Sequence, residues 1–362
     1  MNVSVTYDKF INDLRKAVKE PSILFLLNNP QDTLVNDILE KVDALISKNL
    51  FEEAESILLV LSKTFNEPEF YSTLALVQKK QQKYSEAKSN YKKSIVLDES
   101  LYKLYFNYGV LLYEMKEYEE AIENFIKSSE LNPECDICFY NLGNAYREIE
   151  MYEKAKEAYE NVININPWYD YAFYNLGVVE ENLGNTNEAL KNYNKAIEIN
   201  NGNVQAHWNK SLLLLQNGNF NKGFSEYEWR LRKKEFKRYF PFPVWRGEDL
   251  TNKKILIYCE QGFGDAIQFV RFVKMLKANY VAVECRKELS ELFSSFEFIN
   301  EIIVRDSKTY NVNEFDFAVS IMSLPHLLKI NLNEIPNEIY IKTGEQKSNE
   351  WKERIGNSGK YK

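Results

Sequence analysis

A carboxylate at the end of a glycine turn is the group in this sequence best suited to moving a proton. Asp265 closes the run Glu260-Gln261-Gly262-Phe263-Gly264-Asp265. There it can take a proton from a hydroxyl as a general base, or accept free backbone N–H groups as the cap of a following helix. On the turn alone, capping is the simpler reading. The run is not a dinucleotide fingerprint, because the third glycine is missing, and not a P-loop, because no Gly-Lys-Ser/Thr follows. His326, just behind Ser323-Leu324-Pro325, is a second candidate. Cys135-Asp136-Ile137-Cys138 has a zinc-like spacing, but the sequence offers no second pair or neighbouring histidine to complete four ligands. No metal and no cofactor are therefore expected. Cys138 reads as packing at a helix start, Cys259 and Cys285 as core at apolar strand ends, and His207 as structural.

Strands and helices must carry these residues. Lys254–Cys259, Tyr280–Cys285, Glu301–Val304 and Phe315–Ile321 read as strands, with helices over Ala266–Lys277 and near Glu288–Phe296. Such alternation predicts a parallel sheet, whose sites lie beyond the carboxyl ends of its strands. Those ends are Glu260–Asp265, Arg286, Asp306 and Ser323–His326. The α/β domain is assigned to residues 248–343, and a linker helix near Glu345–Ile355 to residues 344–362. Helix breakers in Phe240-Pro241-Phe242-Pro243 separate it from what precedes. Just before them, Arg230, Arg232, Lys233, Lys234, Lys237 and Arg238 form a basic cluster. It reads either as a contact for phosphate or an acidic partner, or as a solvated helix face.

The preceding two-thirds repeats itself. Gly109, Gly143 and Gly177 recur at a spacing of 34, as do Ala87, Ala121, Ala155 and Ala189. Tyr91, Phe125, Tyr159 and Tyr193 form a third column, and Pro133 and Pro167 a fourth. This pattern resembles the tetratricopeptide family. It implies an α-helical solenoid in which each unit is two antiparallel helices, brought close by the small residues and ended by the proline. The aromatic is expected to fill the gap toward the next unit. Units are placed at 68–101, 102–135, 136–169 and 170–203, with degenerate neighbours at 35–67 and 204–237, so the solenoid spans residues 35–238. Residues 1–34 read as one or two helices broken at Pro21. Asn107, Asn141, Asn175 and Asn209 form a further column on the first helices, and an amide ladder facing a groove can bond a peptide backbone as donor and acceptor. In this respect the chain is similar to the protein O-GlcNAc transferases. Phe106, Tyr140, Tyr174 and Trp208 are expected either in the groove or as packing between helices.

A second resemblance covers the solenoid and the α/β segment together. Trp245-Arg-Gly-Glu-Asp-Leu, the run from Glu260 to Arg271, Phe315-Asp-Phe and Ser323-Leu-Pro325 resemble bacterial proteins that join tetratricopeptide repeats to a heptosyltransferase-like glycosyltransferase domain. The resemblance implies the acceptor-side, Rossmann-like first half of a two-Rossmann fold, with Asp265 as general base. Glu260, Gln261, Gly262, Gly264, Gln268, Arg271, Ser323 and His326 are the accompanying acceptor-loop residues. It also implies that a nucleotide-sugar binds only where a second Rossmann half is present. The chain ends at Lys362 without that half, so these 362 residues are expected to transfer no sugar.

Composition narrows the classes. Apolar residues at 44% and charged residues at 27% describe an ordinary globular chain. A net charge of −7 argues against nucleic acid as the partner. No apolar run reaches the length of about 20 residues needed to span a bilayer, and residues 1–30 lack a signal-peptide pattern, so a cytoplasmic location is expected. Two classes remain. One is a glycosyltransferase relative whose solenoid presents a polypeptide or glycan acceptor, and the other is a non-catalytic scaffold that holds a protein or peptide in its groove.

Overall fold

A computed structural model describes residues 3–18, 34–307, 309–341 and 345–356. Its packing divides into two compact units, Met1–Asn201 and Gly202–Lys362.

Unit 1 is all helix. It runs α1 (Val3–Ala17), α2 (Leu34–Ser47), α3 (Phe51–Phe65), α4 (Pro68–Lys80), α5 (Tyr84–Leu97), α6 (Tyr102–Glu114), α7 (Tyr118–Leu131), α8 (Asp136–Glu148), α9 (Tyr152–Ile165), α10 (Asp170–Asn182) and α11 (Thr186–Ile199). The repeat columns explain the pairing. A Cβ added at Gly143 would lie 2.7 Å from the ring of Tyr159, and one at Gly109 or Gly177 would strike Phe125 or Tyr193 equally closely. The aromatic therefore packs over the glycine of its own repeat and also reaches the next unit, where Tyr91 meets Tyr108 at 6.0 Å and Tyr159 shares a core with Leu176 and Val179. Phe106, Tyr140 and Tyr174 pack against the same rings, with centroids near 6 Å, so they are inter-helix packing. The link between paired helices needs one left-handed residue, supplied by Gln82, Lys116, Glu150 and Gly184, again 34 apart. Only the last of these is the glycine that takes such a backbone without strain. Phe10 and Leu14 of α1 are buried in one core with Ile38, Ile57, Leu61 and Leu74, so the N-terminal helix is part of this unit. Pro21 lies outside the described residues.

Unit 2 opens with the helix pair α12 (Val204–Gln216) and α13 (Phe220–Tyr227). Repeat period alone would leave this pair in the solenoid. Its side chains Trp208, Leu215 and Tyr227 pack with the core of the sheet. After two 3-10 turns come β1 (Lys254–Tyr258), α14 (Phe263–Phe269), β2 (Tyr280–Cys285), α15 (Lys287–Phe293), β3 (Glu301–Val304), β4 (Phe317–Ser320), α16 (Leu324–Leu327) and α17 (Glu345–Gly356). The sheet has the order β3-β2-β1-β4, with every described pair parallel. Side chains alternate between its faces with the strand period of two. Ile255, Ile257, Val281, Val283 and Val319 pack on Val270, Phe272, Leu289 and Phe293, while Leu256, Tyr258, Ala282 and Ala318 pack on Phe242 and Phe315. Beyond β4, Pro243 and Trp245 bond to Ala318 through the backbone. The Pro-rich segment thus covers an edge strand, a place where missing N–H groups do little harm.

The first strand ends at Tyr258, one residue before the expected Cys259, and two further boundaries differ from expectation. The helix read over Ala266–Lys277 is α14 from Phe263 to Phe269, followed by a 3-10 helix from Val270 to Met275. Val270 and Val273 are both buried, and the three-residue period of a 3-10 helix stacks them on one face. The strand read over Phe315–Ile321 shortens to Phe317–Ser320.

Candidate functional site

In the order β3-β2-β1-β4 the chain adds strands first to one side of β1 and then to the other, and open parallel sheets bind ligands beyond the carboxyl ends at such a switch point. Arg230, carried just past α13, occupies this place. Its side chain is fully buried, as is that of Glu260 at 1% exposure. Arg230 Nε and Nη2 donate to Glu260 Oε1 at 3.1 and 3.0 Å, and Nη2 also lies 2.8 Å from Ser320 Oγ and 2.9 Å from Ser323 Oγ. Nη1 donates to Glu228 at 2.6 Å and to the Tyr227 carbonyl at 3.2 Å. Burial pulls the Arg230 pKa down, and the carboxylates of Glu228 and Glu260 more than offset it, so the guanidinium is held above its ordinary value. Glu260 Oε2 is buried with no hydrogen-bond partner among the described residues.

Around this knot the acceptor-loop residues separate. Glu260 and Ser323 are joined through Arg230. Gln261 exchanges hydrogen bonds with the Tyr227 hydroxyl, at 2.9 and 3.2 Å. Burial, foremost, pushes that phenol up. Asp265 accepts the Gly262 N–H at 3.3 Å, which is the capping geometry at the start of α14. Neither loop glycine is demanded by the fold: Gly262 has an ordinary φ of −69°, and a Cβ at Gly264 would meet nothing within 4 Å. Gln268 is exposed. Arg271 turns elsewhere, donating to the Pro336 carbonyl at 3.3 Å and to Tyr340 Oη at 2.9 Å, beside a cleft it shares with Phe296 and Phe298. His326 sits half-exposed on α16.

The basic cluster was only partly legible. Arg230 and Arg238 are not a solvated face: Arg238 donates to buried Glu284 at 2.7 Å, and Tyr310 donates to the same carboxylate at 2.6 Å. The available signal was Glu284 itself, a charge inside the apolar strand Tyr280–Cys285 that must find a cation. Arg232 lies 3.8 Å from the Trp229 ring centroid and Lys233 lies 4.3 Å from that of Trp208. His207 stacks on Trp229 at 3.7 Å and bonds Glu226, a structural place.

In unit 1 the asparagine column breaks into different roles. Asn175 is buried and committed: Arg147 donates to its Oδ1 at 3.0 Å, and its Nδ2 donates to Tyr140 Oη and to Asn144 Oδ1, both at 3.1 Å. Asn141 donates to the Ile137 carbonyl of its own helix at 2.8 Å. Asn107 faces a cleft of about 500 Å³ between α4 and α6, lined by Glu69, Ser72, Thr73, Leu101 and Lys103. Asn209 lies half-buried on α12, in the other unit.

The cysteines hold one difference. Cys135 and Cys138 are joined by a disulfide across the first turn of α8, where packing alone was expected. Three residues of helix start bring their Cα atoms to 5.3 Å, within bridging reach. Cys259 and Cys285 are free and buried, and burial pushes the Cys285 thiol up to about 11 and Cys259 higher still. Among the described residues no group of three His, Cys, Asp or Glu side chains could hold a metal, and no helix is long and apolar enough to cross a membrane.

Paired antiparallel helices on a 34-residue period define unit 1 as a helical-repeat solenoid. Tetratricopeptide-repeat profiles match residues 68–100, 102–135, 137–169 and 171–203, and these four segments are tetratricopeptide repeats. Similar solved structures include MamA, 27% identical over 44% of this chain and 93% of that one, with a TM-score of 0.42. YrrB, described as a TPR protein with an unusual peptide-binding site, is 23% identical over 47% of this chain and 88% of that one, with a TM-score of 0.43. PilF of Pseudomonas aeruginosa is 20% identical over 54% and 90%, with a TM-score of 0.48. No curated protein matches the chain.

Proposed function

We propose that the chain is an interaction scaffold whose repeats hold an extended segment of a partner protein. The observation that carries this is the cleft between α4 and α6, where Asn107 is flanked by the hydroxyls of Ser72 and Thr73 and by the apolar Leu101. An amide, two hydroxyls and an apolar wall suit a peptide backbone with one apolar side chain. Selection of a random peptide library on the full chain tests it, with calorimetry of the selected peptides. Asn107→Ala should weaken them about tenfold, the value of one good hydrogen bond, at unchanged thermal stability. Peptides that bind the variant as tightly as the parent would refute the reading.

A second reading is favoured by the switch-point loop. In it, unit 2 serves sugar transfer from a nucleotide-sugar, with Asp265 taking the proton of an acceptor hydroxyl. Its support is that Gly262 and Gly264 leave the loop backbone open while neither is required by packing or φ, as where a ligand approaches main chain. Saturation-transfer NMR with hexose and heptose glycans, the ligands an acceptor-side half would hold by itself, tests it. Binding lost on Gly264→Val, with the fold intact, supports the reading, and no binding of any such ligand retires it.

A further inference from the structure

Neither reading uses Cys135 and Cys138. Cys135 is the N-cap of α8 and Cys138 stands in its first turn. Of the two, Cys138 is wholly buried and Cys135 keeps 7% exposure, so the Cys135 end of the bridge is the less enclosed. Ser128 Oγ lies 3.1 Å from Cys138 Sγ and 3.0 Å from the Tyr102 carbonyl. While the disulfide is closed, the sulfur has no proton, and the serine hydroxyl donates to Tyr102. Once it is opened, the Cys138 thiol can donate to the serine oxygen without disturbing that bond. Both redox states of the buried cysteine are thus satisfied. The closed loop is also very short, and short loops gain little from cross-linking the unfolded chain.

We propose that Cys135–Cys138 is a thiol–disulfide exchange site for low-molecular-weight thiols of the glutathione class. The thiolate attacks Cys135 Sγ, the bond to Cys138 breaks, and its electron pair leaves on Cys138, which takes up a proton. A second thiol then attacks the external sulfur of the mixed disulfide and releases Cys135. The balance is one protein disulfide and two thiols giving one protein dithiol and one external disulfide. Oxidation by glutathione disulfide is the same sequence reversed.

The full native chain is equilibrated with glutathione and glutathione disulfide in varied ratio, alkylated with a maleimide, and mapped by peptide mass spectrometry. Cys135 should become labelled, following the square of glutathione over glutathione disulfide, while the more deeply buried Cys138, Cys259 and Cys285 stay unlabelled. Cys138→Ser should accumulate a glutathione adduct on Cys135, and Cys135→Ser should accumulate far less on Cys138. A native pair that stays closed at every ratio, or stays open at every ratio, overturns the proposal without recourse to either variant. Equal adduct formation on the two variants overturns it as well.

Discussion

Replacing Asn175 with alanine should cost unit 1 about 3 kcal/mol, while Asn141→Ala should cost less than about 0.5 kcal/mol. The two residues are one period apart in the sequence, and the difference lies in what their amides hold. Asn175 spends both N–H donors on Tyr140 and Asn144 and accepts from Arg147. Three bonds at about 1 kcal/mol net each set the loss, and a half-buried guanidinium without its acceptor adds to it. Asn141 is half-exposed, bonds only its own helix, and falls among ordinary surface substitutions, within about 0.5 kcal/mol. For a unit of 201 residues each kcal/mol moves the midpoint by about 2–4 °C, giving a fall of roughly 6–12 °C for Asn175→Ala and under about 2 °C for Asn141→Ala. Thermal unfolding of the full chain followed by circular dichroism reads both. An Asn175→Ala midpoint within about 2 °C of the parent, or equal losses for the two variants, would refute the reasoning. Loss of peptide binding on Asn175→Ala would carry no information about direct contact, whereas loss on Asn107→Ala would.

Arg230→Met should destabilise unit 2 by about 3–5 kcal/mol, the usual cost of stranding a buried carboxylate, and adding Glu260→Gln should recover at least about 1 kcal/mol; strictly additive losses in urea unfolding would show that the pair is not coupled. Glu150→Gly, at a φ of 58°, should stabilise unit 1 by about 0.5–1 kcal/mol, and a lower midpoint would mean that the turn tolerates a side chain without strain. Burial pushes Glu120 up, but hydrogen bonds from Lys88, Tyr108 and Lys92 overcome it and hold the carboxyl at about 2. Its contribution is therefore present above the unfolded value near 4.5 and fades as pH falls from there toward 2. Glu120→Gln should accordingly lower the urea midpoint at pH 7 and converge on the parent near pH 2; a gap that persists there would assign the loss to packing.

The repeat was legible because three of the four tandem copies print the same steric demand, and a Cβ that would strike an aromatic ring at about 2.7 Å leaves glycine at 109, 143 and 177. Strand limits at Lys254 and Tyr280 were legible from apolar runs bounded by polar residues. What a single column cannot show is how each copy is used. Asn107, Asn141 and Asn175 share a register and differ through Arg147, which adjoins only one of them. Nor does periodicity see across a long sequence gap. The α12–α13 pair keeps the repeat's length, yet its place is decided by partners in the sheet. Asp265 remains a cap by geometry, as the turn alone suggests, and its proton chemistry rests on the family resemblance.

Arg230 also sets an order of events during synthesis. Glu228 and the Tyr227 carbonyl leave the ribosome beside it, but Glu260 follows 30 residues later, Ser320 90 and Ser323 93. Until then the guanidinium has only Glu228 and the Tyr227 carbonyl of these partners. Domains form as units during synthesis, and this cluster stays incomplete until β4 has emerged. A chain interrupted between residues 260 and 320 would carry the Arg230–Glu260 pair without either serine, a charge cluster that only β4 and its following turn complete.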